Sequence, residues 1–127
     1  MFADIITEGR PALFAAWPSA SRTGDFDRAI ESYRLAAADV EGIFLPVAAA
    51  WQAAMRRDPS IQLYADGLHP SPEGAYLAAL VVYGGLLQRS PLDLPNVVRV
   101  SRSYTLSIPS DKAAILREVA AEALEMQ

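Results

Sequence analysis

Apolar positions along this chain fall into short continuous runs and into helical spacings, and the two kinds alternate. At the start, Phe2, Ile5 and Ile6 make a short helical pattern over 1–9, ended by Gly9-Arg10-Pro11. Ala12-Leu13-Phe14-Ala15-Ala16-Trp17 is then continuously apolar and closed by Pro18, which predicts a buried strand over 11–17. Continuous rather than alternating apolarity suits a parallel strand covered on both faces. A polar loop over 18–24 follows, with Thr23 or Asp25 placed to cap a helix whose Phe26, Ile30, Tyr33 and Ala37 share one side. A second apolar run predicts a buried strand over 42–47. The next segment, 48–57, carries Trp51 and Met55 four apart and reads as a helix stopped by Asp58-Pro59.

Ser71-Pro72-Glu73 opens a long apolar helix, because serine caps the first turn and proline there gives up no needed N–H. That helix is expected to reach about Gln88 and to end before Pro91. The pattern then changes. Short strands or extended arms are predicted over 96–100 and 104–108, and Ser110 is placed to cap a last helix carrying Ala113, Leu116, Val119, Ala120 and Leu124. Strand, helix, strand, helix implies a parallel sheet with crossovers, hence an α/β fold. One domain over 1–127 is expected, with 91–127 as a C-terminal extension.

Composition narrows the function classes. A hydrophobic share of 52% with 20% charged residues is that of a folded, soluble protein rather than a disordered one. The net charge is −4 and the arginines are scattered among acids, so the clustered basic charge that nucleic acid requires is missing. Without cysteine, and with a single histidine, a multi-histidine or thiolate zinc site is ruled out within one chain, and no cofactor is implied. The apolar run over 75–87 is too short for a membrane span, and the N-terminus lacks a basic leader followed by an apolar core. The default expectation for compartment is the cytoplasm.

The one place where an acid, a base and a turn converge is Tyr64-Ala65-Asp66-Gly67-Leu68-His69-Pro70-Ser71-Pro72. A histidine serves as general base when one ring nitrogen is held by an acceptor and the other faces a nucleophile. Asp66, three residues before His69, is placed to be that acceptor. Taken alone the spacing is weak and fits a loop aspartate with a surface or satisfied histidine better than a catalytic pair. Ser71 reads as a helix cap rather than a nucleophile. Trp17 and Trp51, and Tyr76 with Tyr83, read as packing residues before cleft residues. Arg56-Arg57 reads as a solvated helix end, favoured by the dipole, before an anion site.

The order of these features, from Trp17-Pro18 through Pro46-Val47 and Trp51 to Asp66-Gly67-Leu68-His69-Pro70, resembles the C-terminal half of an SGNH (GDSL-type) hydrolase over about 11–91. The resemblance implies a flavodoxin-like three-layer α/β/α fold with a parallel sheet, in which an Asp-x-x-His-Pro block supplies the acid and base of a Ser-His-Asp triad. It therefore implies that Asp66 orients and His69 is the base, acting on a carboxylic or acetyl ester of a sugar or lipid. The Gly-Asp-Ser nucleophile motif and the Gly-x-Asn-Asp oxyanion motif of that family are absent here. The likeness places 11–17 at the fourth strand of the family's sheet, so three further parallel strands are expected before Met1. The chain alone is expected to be inactive. The alternative expectation is a non-catalytic α/β module that uses the inherited cleft or an exposed sheet edge to bind another chain; self-association or pairing with a missing N-terminal half is the partner expectation.

Overall fold

The computed structural model describes residues 11–125, so the helical pattern expected over 1–9 lies outside the described residues. Two three-residue strands, β1 (Ala12–Phe14) and β2 (Ile43–Leu45), pair in parallel with Leu13 opposite Phe44. The crossover between them is helix α1 (Phe26–Asp39), and β2 runs through Pro46 directly into α2 (Val47–Arg57). The long helix α3 (Pro72–Leu87) follows the candidate loop and ends at Gln88, which adopts the left-handed conformation of a helix C-terminus. A separate antiparallel pair, β3 (Val97–Arg99) and β4 (Thr105–Ser107), precedes the last helix, α4 (Ser110–Glu125). The architecture is mixed α/β with a small parallel sheet.

The core lies where α2, α3 and α4 meet. Trp51, Tyr76, Leu77, Leu80, Val81, Leu116 and Val119 are fully buried and belong to one contiguous cluster. This explains the apolarity of α3 from Gly74 onward, which is packed along most of its length and opens to solvent in its last turn at Leu86 and Leu87. The C-terminal segment is bound to α3 through a polar clasp. Tyr76 donates its hydroxyl to the Pro95 carbonyl at 2.9 Å, and Arg117 donates to the Leu94 carbonyl at 3.1 Å. At the far end of α2, Arg57 grips both carboxylate oxygens of Glu122 at 2.7 Å and reaches Glu118 at 3.3 Å. Its neighbours Glu122 and Glu118 hold its guanidinium pKa above the usual range. Arg57 is thus an inter-helix tie, where a merely solvated helix end was expected.

Several local expectations are corrected. The strand expected to be buried on both faces over 11–17 is short and open, with Ala12 exposed and Phe14 39% exposed. The reason is pairing: among the described residues β1 has a neighbour on one side only. In a parallel ladder the N–H and C=O of one residue point the same way, and those of the next point the opposite way. Ile43 N–H donates to Pro11 O at 2.7 Å and Ala15 N–H donates to Leu45 O at 3.0 Å. By this alternation the backbone groups of Ala12 and Phe14 point to the open edge of β1, and those of Phe44 point to the outer edge of β2. Asp25, one of the two residues expected to cap α1, stands at its N-cap position, but its side chain makes no capping bond there. A 3₁₀ segment, Ala20–Asp25, leads into it, and the Asp25 carboxylate pairs with Arg22 at 2.7 Å instead. Ser110 is the first residue of α4, and the Pro109 carbonyl, not the serine side chain, receives the Ala113 N–H at 2.9 Å.

Candidate functional site

The loop between α2 and α3 is closed at its base by backbone pairing. Tyr64 and Pro70 form an antiparallel bridge, Ser71 N–H donates to Leu63 O at 2.8 Å, and Ala65 N–H donates to His69 O at 2.8 Å. Gly67 makes the turn possible, since its φ of +88° is a conformation that side-chain-bearing residues rarely adopt. Two further bonds hold the turn against the segment after β1. Ala20 N–H donates to Gly67 O at 2.7 Å, and Trp17 Nε1–H donates to Leu68 O at 2.8 Å. Three successive carbonyls, 67 to 69, are therefore occupied by donors.

An aromatic stack underlies it. Trp17 lies flat on Trp51, with ring centroids 4.0 Å apart and planes 3° from parallel, and Tyr64 meets Trp51 edge-on at 5.0 Å. The Tyr64 hydroxyl donates to Pro18 O at 2.6 Å, and burial pushes its phenol pKa up. Trp51 is core, whereas Trp17 is half-buried and serves as the bracket between core and loop. The hydrogen bond from its indole nitrogen was not legible in sequence, because nothing local connects residue 17 to residue 68.

Within this frame Asp66 and His69 come together. One carboxylate oxygen of Asp66 accepts the N–H groups of Leu68 at 3.1 Å and His69 at 2.7 Å, while the other lies 2.8 Å from His69 Nδ1. With the proton on Nδ1, that nitrogen donates to Asp66 and leaves the Nε2 lone pair free to accept a proton. The two side chains are 58% and 73% exposed respectively, so the dyad stands open to solvent and no wall of a cleft covers it. The backbone N–H of His69, its ring, and the Leu68 N–H hold the Asp66 carboxyl down to a pKa of about 2, from an ordinary 3.8.

A pH dependence follows. The folded-state pKa lies below the unfolded value, so the loop stabilisation from ionised Asp66 is complete above about pH 3.8 and is lost as pH falls through about 2. The amide resonances of Leu68 and His69 are expected to shift together with a midpoint near pH 2. Asp66→Asn is expected to remove that transition; its survival in the variant would assign the effect to another group.

Ser71 is excluded as a partner of the dyad by its own bonding. It is 7% exposed, donates its hydroxyl to Gln62 O at 2.5 Å and accepts the Gly74 N–H at 3.1 Å, which makes it the cap of α3. Tyr76 belongs to the core and to the clasp described above, not to the dyad. Among the described residues no group of three or more acidic or histidine side chains is assembled that could hold a metal ion, and no helix is long and apolar enough to cross a membrane. A groove of about 720 Å³ lies elsewhere, around the outer side of β2, and includes neither Asp66 nor His69. The geometry of the loop, not that cavity, marks the candidate catalytic site.

The fold and the dyad thus define a mixed α/β protein with an aspartate-oriented histidine at the loop that opens a helix. Among solved structures, a DUF4886 family protein from Bacteroides uniformis ATCC 8492 superposes with a TM-score of 0.74 over 94% of this chain, at 18% sequence identity. The matched region is 49% of that protein, so the present chain spans about half its length. At this identity the likeness is one of fold. No family model matches the chain, and no curated protein matches it.

Proposed function

We propose that this chain is the C-terminal half of an SGNH-type serine ester hydrolase with a flavodoxin-like three-layer α/β/α architecture, acting on a carboxylic or acetyl ester of a sugar or lipid. The observation that carries the reading is the 2.8 Å contact between His69 Nδ1 and Asp66 in a loop whose backbone is held at every turn. In the reaction, a serine hydroxyl supplied by other polypeptide attacks the ester carbonyl while His69 Nε2 takes its proton. The same nitrogen returns that proton to the departing alcohol, and water then repeats the sequence to release the acid. Asp66 keeps the imidazole in the tautomer that leaves Nε2 free and stabilises the imidazolium formed in each half-reaction.

The open edge of β1 supports the same reading. Among the described residues its Ala12 and Phe14 backbone groups face away from β2, where a further parallel strand would pair, and the structural neighbour is about twice as long as this chain. The exposed edge also favours a second reading, a non-catalytic module that pairs there with another protein.

The test of the first reading on the chain alone is hydrolysis of a short-chain aryl ester, together with labelling by a fluorophosphonate. Neither turnover above buffer nor a labelled serine is expected, because the base and acid of a triad act only with their nucleophile. Turnover that disappears in His69→Ala would place a working nucleophile within this chain and overturn that expectation.

A further inference from the structure

The groove of about 720 Å³ is within the roughly 300–1,000 Å³ range of small-molecule sites. Its lining is largely apolar: Ile30 from α1, Ile43 and Phe44 from β2, and Ala49 and Ala53 from α2. Three charged side chains line it, Arg34, Arg56 and Glu122. Two of them are satisfied within the protein. Arg34 pairs with Glu31, and Glu122 receives both its bonds from Arg57. Gln52, which also lines the groove, donates its side-chain amide N–H to Asp27 at 3.0 Å. Arg56, in the last turn of α2, is exposed and has no hydrogen-bond or ion-pair partner among the described residues. The groove therefore combines an apolar trough with one uncompensated guanidinium.

Independently of the dyad's role, we infer that this groove binds a linear alkyl carboxylate of medium chain length, with its chain along Ile43, Phe44 and Ala53 and its head on Arg56. The charge pattern selects one anionic head, since the second arginine and the acid are each neutralised by a neighbour. A guanidinium suits a carboxylate because two parallel N–H donors meet two acceptor oxygens. The backbone argues against an extended peptide as occupant. Only Phe44 of β2 turns its N–H and C=O toward the groove, and strand addition draws its affinity from a run of such groups.

The test is isothermal titration calorimetry of the intact chain with octanoate, 1-octanol and butyrate, all below micelle-forming concentrations. Saturable binding of octanoate is expected, with octanol roughly tenfold weaker for want of the charge-assisted bonds. Butyrate should be weaker still, by roughly fourfold for each methylene removed from the trough. Arg56→Gln, an exposed position whose folding is verified by circular dichroism, is expected to bring octanoate down to the affinity of octanol and to leave octanol unchanged. His69→Ala is expected to bind octanoate as the unmodified chain does, which separates this site from the dyad. Amide shifts on octanoate addition should cluster at Phe44, Ala49 and Ala53. Absence of saturable octanoate binding, equal affinity for octanol and octanoate, an unaltered Arg56→Gln, or amide shifts centred on another surface would each overturn the assignment.

Discussion

Replacing Gly74 with alanine is expected to cost about 3 kcal/mol of stability, and replacing it with valine to prevent folding. Gly74 sits in the first turn of α3, buried against Trp51 and the Leu63 carbonyl. A Cβ built there would lie 2.7 and 2.9 Å from Cζ2 and Cη2 of Trp51 and closer still to Leu63 O. Neither obstacle yields easily. The Leu63 carbonyl accepts the Ser71 N–H that closes the loop, and Trp51 is fully buried and stacked on Trp17. The same substitution at Gly24, where nothing lies within 4 Å of an added Cβ, should change stability by no more than about 0.5 kcal/mol. Urea denaturation followed by circular dichroism compares the two. An unchanged midpoint for Gly74→Ala would mean that the junction of loop and helix is loose, and with it the dyad.

The largest functional effect concerns His69. On the hydrolase reading proposed above, the chain joined to or mixed with a polypeptide that carries a Gly-Asp-Ser nucleophile is expected to hydrolyse a short-chain aryl ester, and His69→Ala is expected to lower kcat by about 10⁴-fold or more. Asp66→Asn should fall nearly as far through the wrong imidazole tautomer, because an amide in its place can present a donor rather than an acceptor to Nδ1. Steady-state kinetics with both variants test this. The chain's only histidine gives a single set of imidazole signals, so nitrogen NMR reads the tautomer directly. If the completed protein is active and indifferent to His69→Ala, the base lies elsewhere. If a strand-donating partner binds the β1 edge tightly and brings no esterase activity, the interaction-module reading takes precedence.

Sequence pattern located the parts of this fold that depend on local chemistry. Ser71-Pro72 marks the start of α3 within one residue, and the apolar stripe of α1 holds, with Phe26 and Ala37 buried. Asp66 and His69 were likewise visible as a close pair, since three residues and a glycine suffice to fold the carboxylate back on the ring. What sequence could not show depends on contacts between distant residues. The bracket from Trp17 to Leu68 spans 51 positions, and the tie from Arg57 to Glu122 spans 65. The exposure of β1 was misjudged for a related reason. Continuous apolarity records a need for cover on both faces, and whether that cover is present depends on which strands lie beside it. The groove beside β2 was illegible because its apolar lining reads in sequence as ordinary helix and strand core.

The stacked pair of indoles has a practical meaning. Trp17 and Trp51 are the chain's two tryptophans, and one of them is hydrogen-bonded to the residue preceding His69. Their emission is therefore an optical gauge of whether the loop is seated: release of Leu68 frees the outer ring into water and reddens its fluorescence, while the inner ring stays dark to solvent. Without any added label, a fluorimeter can follow whether the loop that carries His69 stays seated on Trp17.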